Sequence, residues 1–164
     1  MTENKTEIKI RKAEPGDIPV ILKLIKDLAQ YEKLSDQVIA TEDLLRENLF
    51  GINHFVEIWL AEYQNKIAGQ LIFFHNFSTF LGKAGIFIED IFVLPEFRSK
   101  GIGRELLLKV IELAKERDCG RVEWNVLDWN EPAISFYKKI GAKPLDEWTT
   151  FRITSENFDA ILSN

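Results

Sequence analysis

Cysteine is almost missing from this sequence, and so is any long apolar run. Among 164 residues there is one cysteine, Cys119, with no second thiol to bridge, so a reducing compartment is the economical reading. No apolar stretch approaches the roughly 18 residues that a membrane-spanning helix needs, so no membrane partner is expected. Basic residues are outnumbered, 21 Lys and Arg against 26 Asp and Glu, and the resulting net charge of −5 argues against nucleic-acid binding. His54 and His75 are too isolated to suggest a metal site, and one cysteine adds nothing to them. Met1–Lys5 is polar and lacks the apolar core of a secretory leader, which leaves the cytoplasm as the expected location.

What is present suits one soluble domain over residues 1–164. The length is enough to bury a core without disulfides, and twelve Phe and four Trp supply much of its volume. Ile8 and Ile10 alternate with polar residues, the period of a half-buried strand over Glu7–Arg11. Past the turn signal Glu14-Pro15-Gly16, the apolar positions Ile18, Ile21, Leu22, Ile25, Leu28 and Ala29 predict a helix from Asp17 to Glu32. Thr41 is a good N-cap for a second helix ending at Leu49. Val56–Tyr63 and Lys66–Phe77 read as a hairpin about Gln64-Asn65, followed by a strand over Ile86–Val93. A helix from Gly101 to Arg117 buries Leu106, Leu107, Val110, Ile111 and Ala114. A strand over Arg121–Leu127, a helix over Asn130–Ile140, a strand near Thr149–Ile153 and a short helix complete the reading. The order predicts an α/β fold (α+β in layout), with antiparallel hairpins early and a crossover later.

The segment after Val93 carries the sharpest chemical signal. In Arg98-Ser99-Lys100-Gly101-Ile102-Gly103 the glycines let consecutive backbone N–H groups converge on one anion, and the following helix adds its N-terminal partial charge. Arg98, Lys100 and Arg104 place three cations there, in a chain that is otherwise acidic. A nucleotide P-loop is absent, and a dinucleotide fingerprint fails because Leu106 stands where its third glycine belongs.

With Arg98, Gly101 and Gly103 the sequence resembles the GNAT superfamily of N-acetyltransferases, whose acetyl-CoA signature reads R/Q-x-x-G-x-G/A. Glu89-Asp90-Ile91-Phe92-Val93, Trp129-Asn130-Glu131-Pro132, Phe136-Tyr137-Lys138 and the helix segment Leu24–Glu32 are similar to the spermidine/spermine group of that superfamily. The resemblance covers nearly the whole chain. It implies a central, mixed but mostly antiparallel twisted sheet flanked by helices, acetyl-CoA as cosubstrate, and a homodimer. It places the cosubstrate against Ile91, Phe92, Val93, the loop Arg98, Ser99, Lys100, Gly101, Ile102, Gly103 and Arg104, and also Asn130 and Ala133. Ala133 stands where the superfamily often has Ser, so a hydroxyl contact there is lost.

Acetyl transfer to an amine needs a deprotonated amine, donors for the tetrahedral oxyanion and a proton for the thiolate. A lysine-like amine of pKa about 10.4 costs roughly 4–5 kcal/mol to deprotonate near neutrality. Glu89 and Asp90 are the candidates for that task. Adjacent strand residues face opposite sides, so one of them lines the site unless a bulge intervenes. The resemblance favours Glu89 as a substrate contact that passes a proton through water, the amides of Ile91 to Val93 as oxyanion donors, and Tyr137 as general acid. It also sets Tyr31, Glu32, Glu123, Trp124 and Asn125 around the acceptor. Aromatic faces and carboxylates suit a small cationic amine, either a diamine or polyamine or a lysine-like amino acid such as thialysine. A protein or peptide N-acetyltransferase and a noncatalytic acyl-CoA sensor are the alternatives.

Overall fold

The computed structural model describes residues 8–163, which form two compact units, one ending at Asn125 and the other starting at Val126. The first unit runs β1 (Ile8–Lys12), α1 (Ile18–Tyr31), α2 (Glu42–Phe50), β2 (Val56–Tyr63), β3 (Lys66–Ser78), β4 (Lys83–Val93), α3 (Ile102–Glu116) and β5 (Val122–Trp124). The five strands lie in the order β1-β2-β3-β4-β5, antiparallel except for the parallel β4–β5 pair. This is the mixed, mostly antiparallel sheet expected. Gln64 and Asn65 both take positive φ, which matches the twist of the β2–β3 hairpin they close.

Helices cover both faces. On one, Ile21 and Leu24 of α1 pack with Ile58, Leu60, Ile72 and Phe92 of the sheet, and Leu45, Leu49 and Phe50 of α2 close over them. The alternate strand residues face α3: Lys109 lies over the Trp59 ring at 4.9 Å and Arg117 over Phe73 at 5.8 Å. The helical stripe on α3 differs from expectation at one place. Ile111 is 43% exposed and Leu113 is buried instead, because the sheet-facing side of the helix passes through 106, 107, 110, 113 and 114. Arg11 ties the first elements together, donating to Asp17 at 2.8 Å and to Glu62 at 2.6 Å. These bonds hold both carboxyls below their ordinary pKa.

One irregularity shapes the rest. Ile72 of β3 pairs with Asp90 while Phe73 pairs with Ile88, so Glu89 is an extra residue in β4, a bulge. The β4–β5 ladder covers only Ile86 to Ile88 against Val122 to Trp124. Beyond it the two strands part, and this is why β5 is shorter than the expected Arg121–Leu127. Before the bulge the Ile86 amide donates to Arg121 on the β5 side; after it the Leu94 amide donates to Ala68 on the β3 side. Alternation then turns the amides of Ile91 and Val93 away from β3, towards the opened side of the strand.

The second unit holds α4 (Glu131–Lys139) and α5 (Phe158–Leu162). Asn130 caps α4 by accepting from the Ala133 amide at 3.4 Å, and Gly141, at φ 95°, ends it with Ala142 donating to the Tyr137 carbonyl. The strand expected near Thr149–Ile153 does not form. Its residues are exposed, Phe151 to 91%, and no neighbouring strand among the described residues takes up their backbone hydrogen bonds. No helix among the described residues is long and apolar enough to cross a membrane.

Candidate active site

The loop Arg98–Arg104 is built from two left-handed residues, Ser99 (φ 62°) and Gly101 (φ 85°), on either side of Lys100. The first helical bond of α3 runs from the Glu105 amide to the Gly101 carbonyl at 3.0 Å. Among the described residues, the amides from Ser99 to Arg104 donate to no group of the chain, so they form a run of donors at a helix N-terminus. A Cβ added at Gly103 would meet only Val93 Cγ2, at 3.7 Å. Packing within the chain therefore does not require glycine there, whereas close approach of a diphosphate would. That contact also sets the loop beside the opened end of β4.

The three loop cations divide their work. Arg98 donates from Nε to the Val93 carbonyl at 3.1 Å, and its guanidinium lies 4.5 Å above the Tyr31 ring and 5.7 Å from that of Phe92. It joins the end of α1 to the end of β4 rather than standing at the row of amides. Lys100 rests over Tyr63 at 5.7 Å, and Arg104 lies 3.6 Å from Glu105. Both side chains are solvent-exposed beside the amides, where an anion can recruit them.

On the α1 side of β4 the carboxylates gather. Asp90 shares its face with Ile72 and Phe92, is half-buried, and its carboxyl is pushed up to about 6. Burial is the main cause, with the charges of Glu89 and Glu32 adding to it. Glu32, just past Tyr31, is raised by burial as well. Glu89, on the bulge, is exposed. Asp90 is thus the more enclosed of the two adjacent carboxylates. No Gly or Pro marks the bulge, so the sequence held no local signal for this.

The remaining expected residues are less concentrated. Glu123 accepts from Asn76 Nδ2 at 2.9 Å and pairs with Arg121 at 2.8 Å, so its carboxylate is already engaged. Trp124 is half-buried at the end of β5 and Asn125 is exposed. In the second unit Asn130 and Ala133 form the α4 cap. Tyr137 is half-buried with its ring 5.5 Å from that of Phe136, and burial raises its phenol above the ordinary value. No group of three or more His, Cys, Asp and Glu able to hold a metal occurs among the described residues.

A bulged strand parts from its parallel neighbour beside a row of amides at a helix N-terminus, an arrangement suited to holding an anion next to an opened strand. Residues 22–142 match the model of the acetyltransferase (GNAT) family, and the chain belongs to that family. It is an N-acetyltransferase, and members of the family use acetyl-CoA as cosubstrate. The chain is 39% identical over 160 residues to the thialysine N-epsilon-acetyltransferase of Bos taurus, covering 91% of this chain and 94% of that protein. It is 33% identical to the L-ornithine N5-acetyltransferase NATA1 of Arabidopsis thaliana, over 93% of this chain and 87% of the relative. Among solved structures, the V. cholerae integron cassette protein VCH_CASS6 superposes with a TM-score of 0.80 at 23% identity. The match covers 96% of this chain and 98% of the other, a likeness of fold.

Proposed function

We propose that this single-domain enzyme moves the acetyl group of acetyl-CoA to a primary amine of a small cation, a lysine-like amino acid such as thialysine or a short diamine. The observation that carries the reading is the cluster of carboxylates at the α1 end of β4. There Asp90, Glu32 and Glu89 lie close enough to raise the Asp90 carboxyl, beside the strand end that faces the glycine loop. The relatives' printed activities on thialysine and ornithine support the choice of amine.

In this reading the loop amides from Ser99 to Arg104, with Lys100 and Arg104, hold the diphosphate, and Ile102 seats the loop through its buried side chain. Asp90 and Glu32 attract the ammonium. Asp90, ionised above its pKa of about 6, accepts the proton that the amine must lose. Glu89, exposed on the bulge, contacts the incoming amine and passes to solvent, through water, the second proton that the nitrogen sheds once it is bonded to the carbonyl carbon. The amine nitrogen then bonds to the thioester carbon. The amides of Ile91 and Val93, turned to the open side by the bulge with Phe92 anchored between them, donate to the oxyanion. The C–S bond breaks as the thiolate takes a proton from a general acid, the role that the family resemblance gives Tyr137, a phenol that burial holds in its protonated form. Tyr31, held under Arg98, offers an aromatic face to the cation, and Trp124 and Asn125 border the acceptor. Glu123 needs to exchange Arg121 for a substrate ammonium to take part. The family resemblance gives Asn130 and Ala133 contacts with the pantetheine arm.

A panel of amines assayed for CoA release tests the reading. Turnover with thialysine, ornithine and diamines but not with peptides is the expected result. Turnover with peptides alone, or tight acetyl-CoA binding with no turnover, would overturn it. Tyr137→Phe should lower kcat by roughly 10²-fold with little change in acetyl-CoA affinity. Unaltered kcat, measured by stopped-flow thiol release, removes its acid role.

We also propose a cytoplasmic homodimer. In the second unit Trp148 (78%) and Phe151 (91%) are exposed, an apolar surface that a second copy would cover. Light scattering at micromolar concentration should give twice the chain mass, and a monomer mass would refute the assembly.

A further inference from the structure

The sheet face that carries Asp90 holds one polar side chain the mechanism leaves unused. Gln70 of β3 is completely buried, and neither its Oε1 nor its Nε2 has a hydrogen-bond partner among the described residues. Buried polar atoms in folded proteins are almost always matched, by the chain or by an internal water, because the protein interior gives nothing back for lost hydration. A leucine or phenylalanine would fill this place at no such cost. The face around it is hydrocarbon: Ile58, Leu60, Ile72 and Phe92, with Ile21 and Leu24 above.

Register points to where the carboxamide finds its match. Gln70 stands opposite Leu60 on β2 and Phe92 on β4, and Asp90 is opposite Ile72. Gln70 and Asp90 are therefore diagonal neighbours on one face, a separation of about 7–8 Å that long side chains span. No direct bond joins them, and a bridging water between them would have the two to four polar partners it needs. Gln70 brings a donor and an acceptor, and Asp90 brings two oxygens.

We propose that Gln70 is a positioning residue for Asp90, its carboxamide reaching the carboxylate through one buried water and favouring the charged, proton-accepting form. The inference rests on Asp90 as the amine-side base but concerns its ionisation, not its catalytic use. The other groups facing Asp90 are Glu89 on its own strand and Glu32 from the end of α1, both of which oppose ionisation. The Arg98 guanidinium lies over the ring of Phe92, on the same strand as Asp90, at 5.7 Å. The water-linked amide offsets the two carboxylates.

The test is a carboxyl carbon-13 titration of the full chain, with the Asp90 signal assigned by its loss in Asp90→Asn. Gln70→Met, close in shape and apolar, should raise the Asp90 midpoint by about 0.5–1 pH unit. The acid limb of kcat/KM should move by the same amount while acetyl-CoA affinity holds. In the wild-type protein the Gln70 side-chain amide resonances should shift with the Asp90 midpoint, and lose that dependence in Asp90→Asn. An unmoved midpoint in Gln70→Met, or amide resonances indifferent to pH, overturns the proposal. Should the Met variant not fold, the wild-type titration decides by itself. If Asp90 is not the base, the resonances still titrate together and only the rate profile stays put, so the two failures are told apart.

Discussion

Asp90→Asn should lower kcat/KM for thialysine or a diamine by about 10²–10³-fold and, at the same time, make the protein more stable above pH 6. Both effects have one cause. The carboxyl is held at about 6 in the folded chain against an ordinary 3.8, chiefly by burial and then by the charges of Glu89 and Glu32. Between pH 4 and 6 the folded state keeps a proton that the unfolded chain has released. Stability therefore falls as pH rises through that window and stays lower by a constant amount above it. Asparagine carries no charge to desolvate and removes the deficit, on the order of 1–2 kcal/mol once solvent screening of a half-buried group is allowed for. Thermal unfolding curves of the two proteins should coincide near pH 4 and separate above pH 6, with the variant higher. Full activity, or a variant less stable than wild type at pH 8, would remove Asp90 from the centre of the mechanism.

Gly103→Leu should weaken acetyl-CoA binding by about 30–100-fold, the equivalent of one or two charge-assisted hydrogen bonds, and leave the fold intact. A Cβ at 103 meets only the end of Val93 inside the protein, at an ordinary contact distance. Leucine is also a better helix former than glycine by somewhat under 1 kcal/mol, so the melting temperature should hold or rise. The added bulk would stand between the loop amides and the diphosphate. Calorimetry with CoA, paired with a thermal melt, separates the outcomes. Unimpaired binding in a folded variant would mean that the diphosphate lies elsewhere, and the assignment of the loop would fail. A loss of binding together with a loss of fold would mean that Gly103 serves packing, which its open surroundings argue against.

The geometry of the glycine loop was legible because its determinants are local. Glycines at 101 and 103, a positive φ at one of them and a helix start are all written within seven consecutive residues, and backbone geometry follows from them directly. Arg98 shows the limit of such reading. Counted as a loop cation, it instead reaches the Val93 carbonyl and the Tyr31 ring, contacts that exist only because α1 and β4 end side by side. The strand expected near Thr149–Ile153 failed for the complementary reason. Alternation announces a residue's fitness for a sheet, but a strand exists only where a neighbour accepts its hydrogen bonds.

Periodicity by itself determined the order of helices and strands, the antiparallel hairpins and the class of fold, since apolar spacing of 3.6 or 2 dictates which face each element must hide. The glycine loop and the similarity around it determined the family. Tertiary structure decided which carboxylate is enclosed. The bulge at Glu89 is a mismatch of register between β3 and β4, with no residue type that announces it. The gathering of Glu32, Glu89 and Asp90 depends on where α1 ends above the sheet, and Gln70 becomes an orphaned amide only once that helix covers it. Local geometry is carried by neighbouring residues, whereas burial and charge proximity belong to contacts between segments distant in the chain.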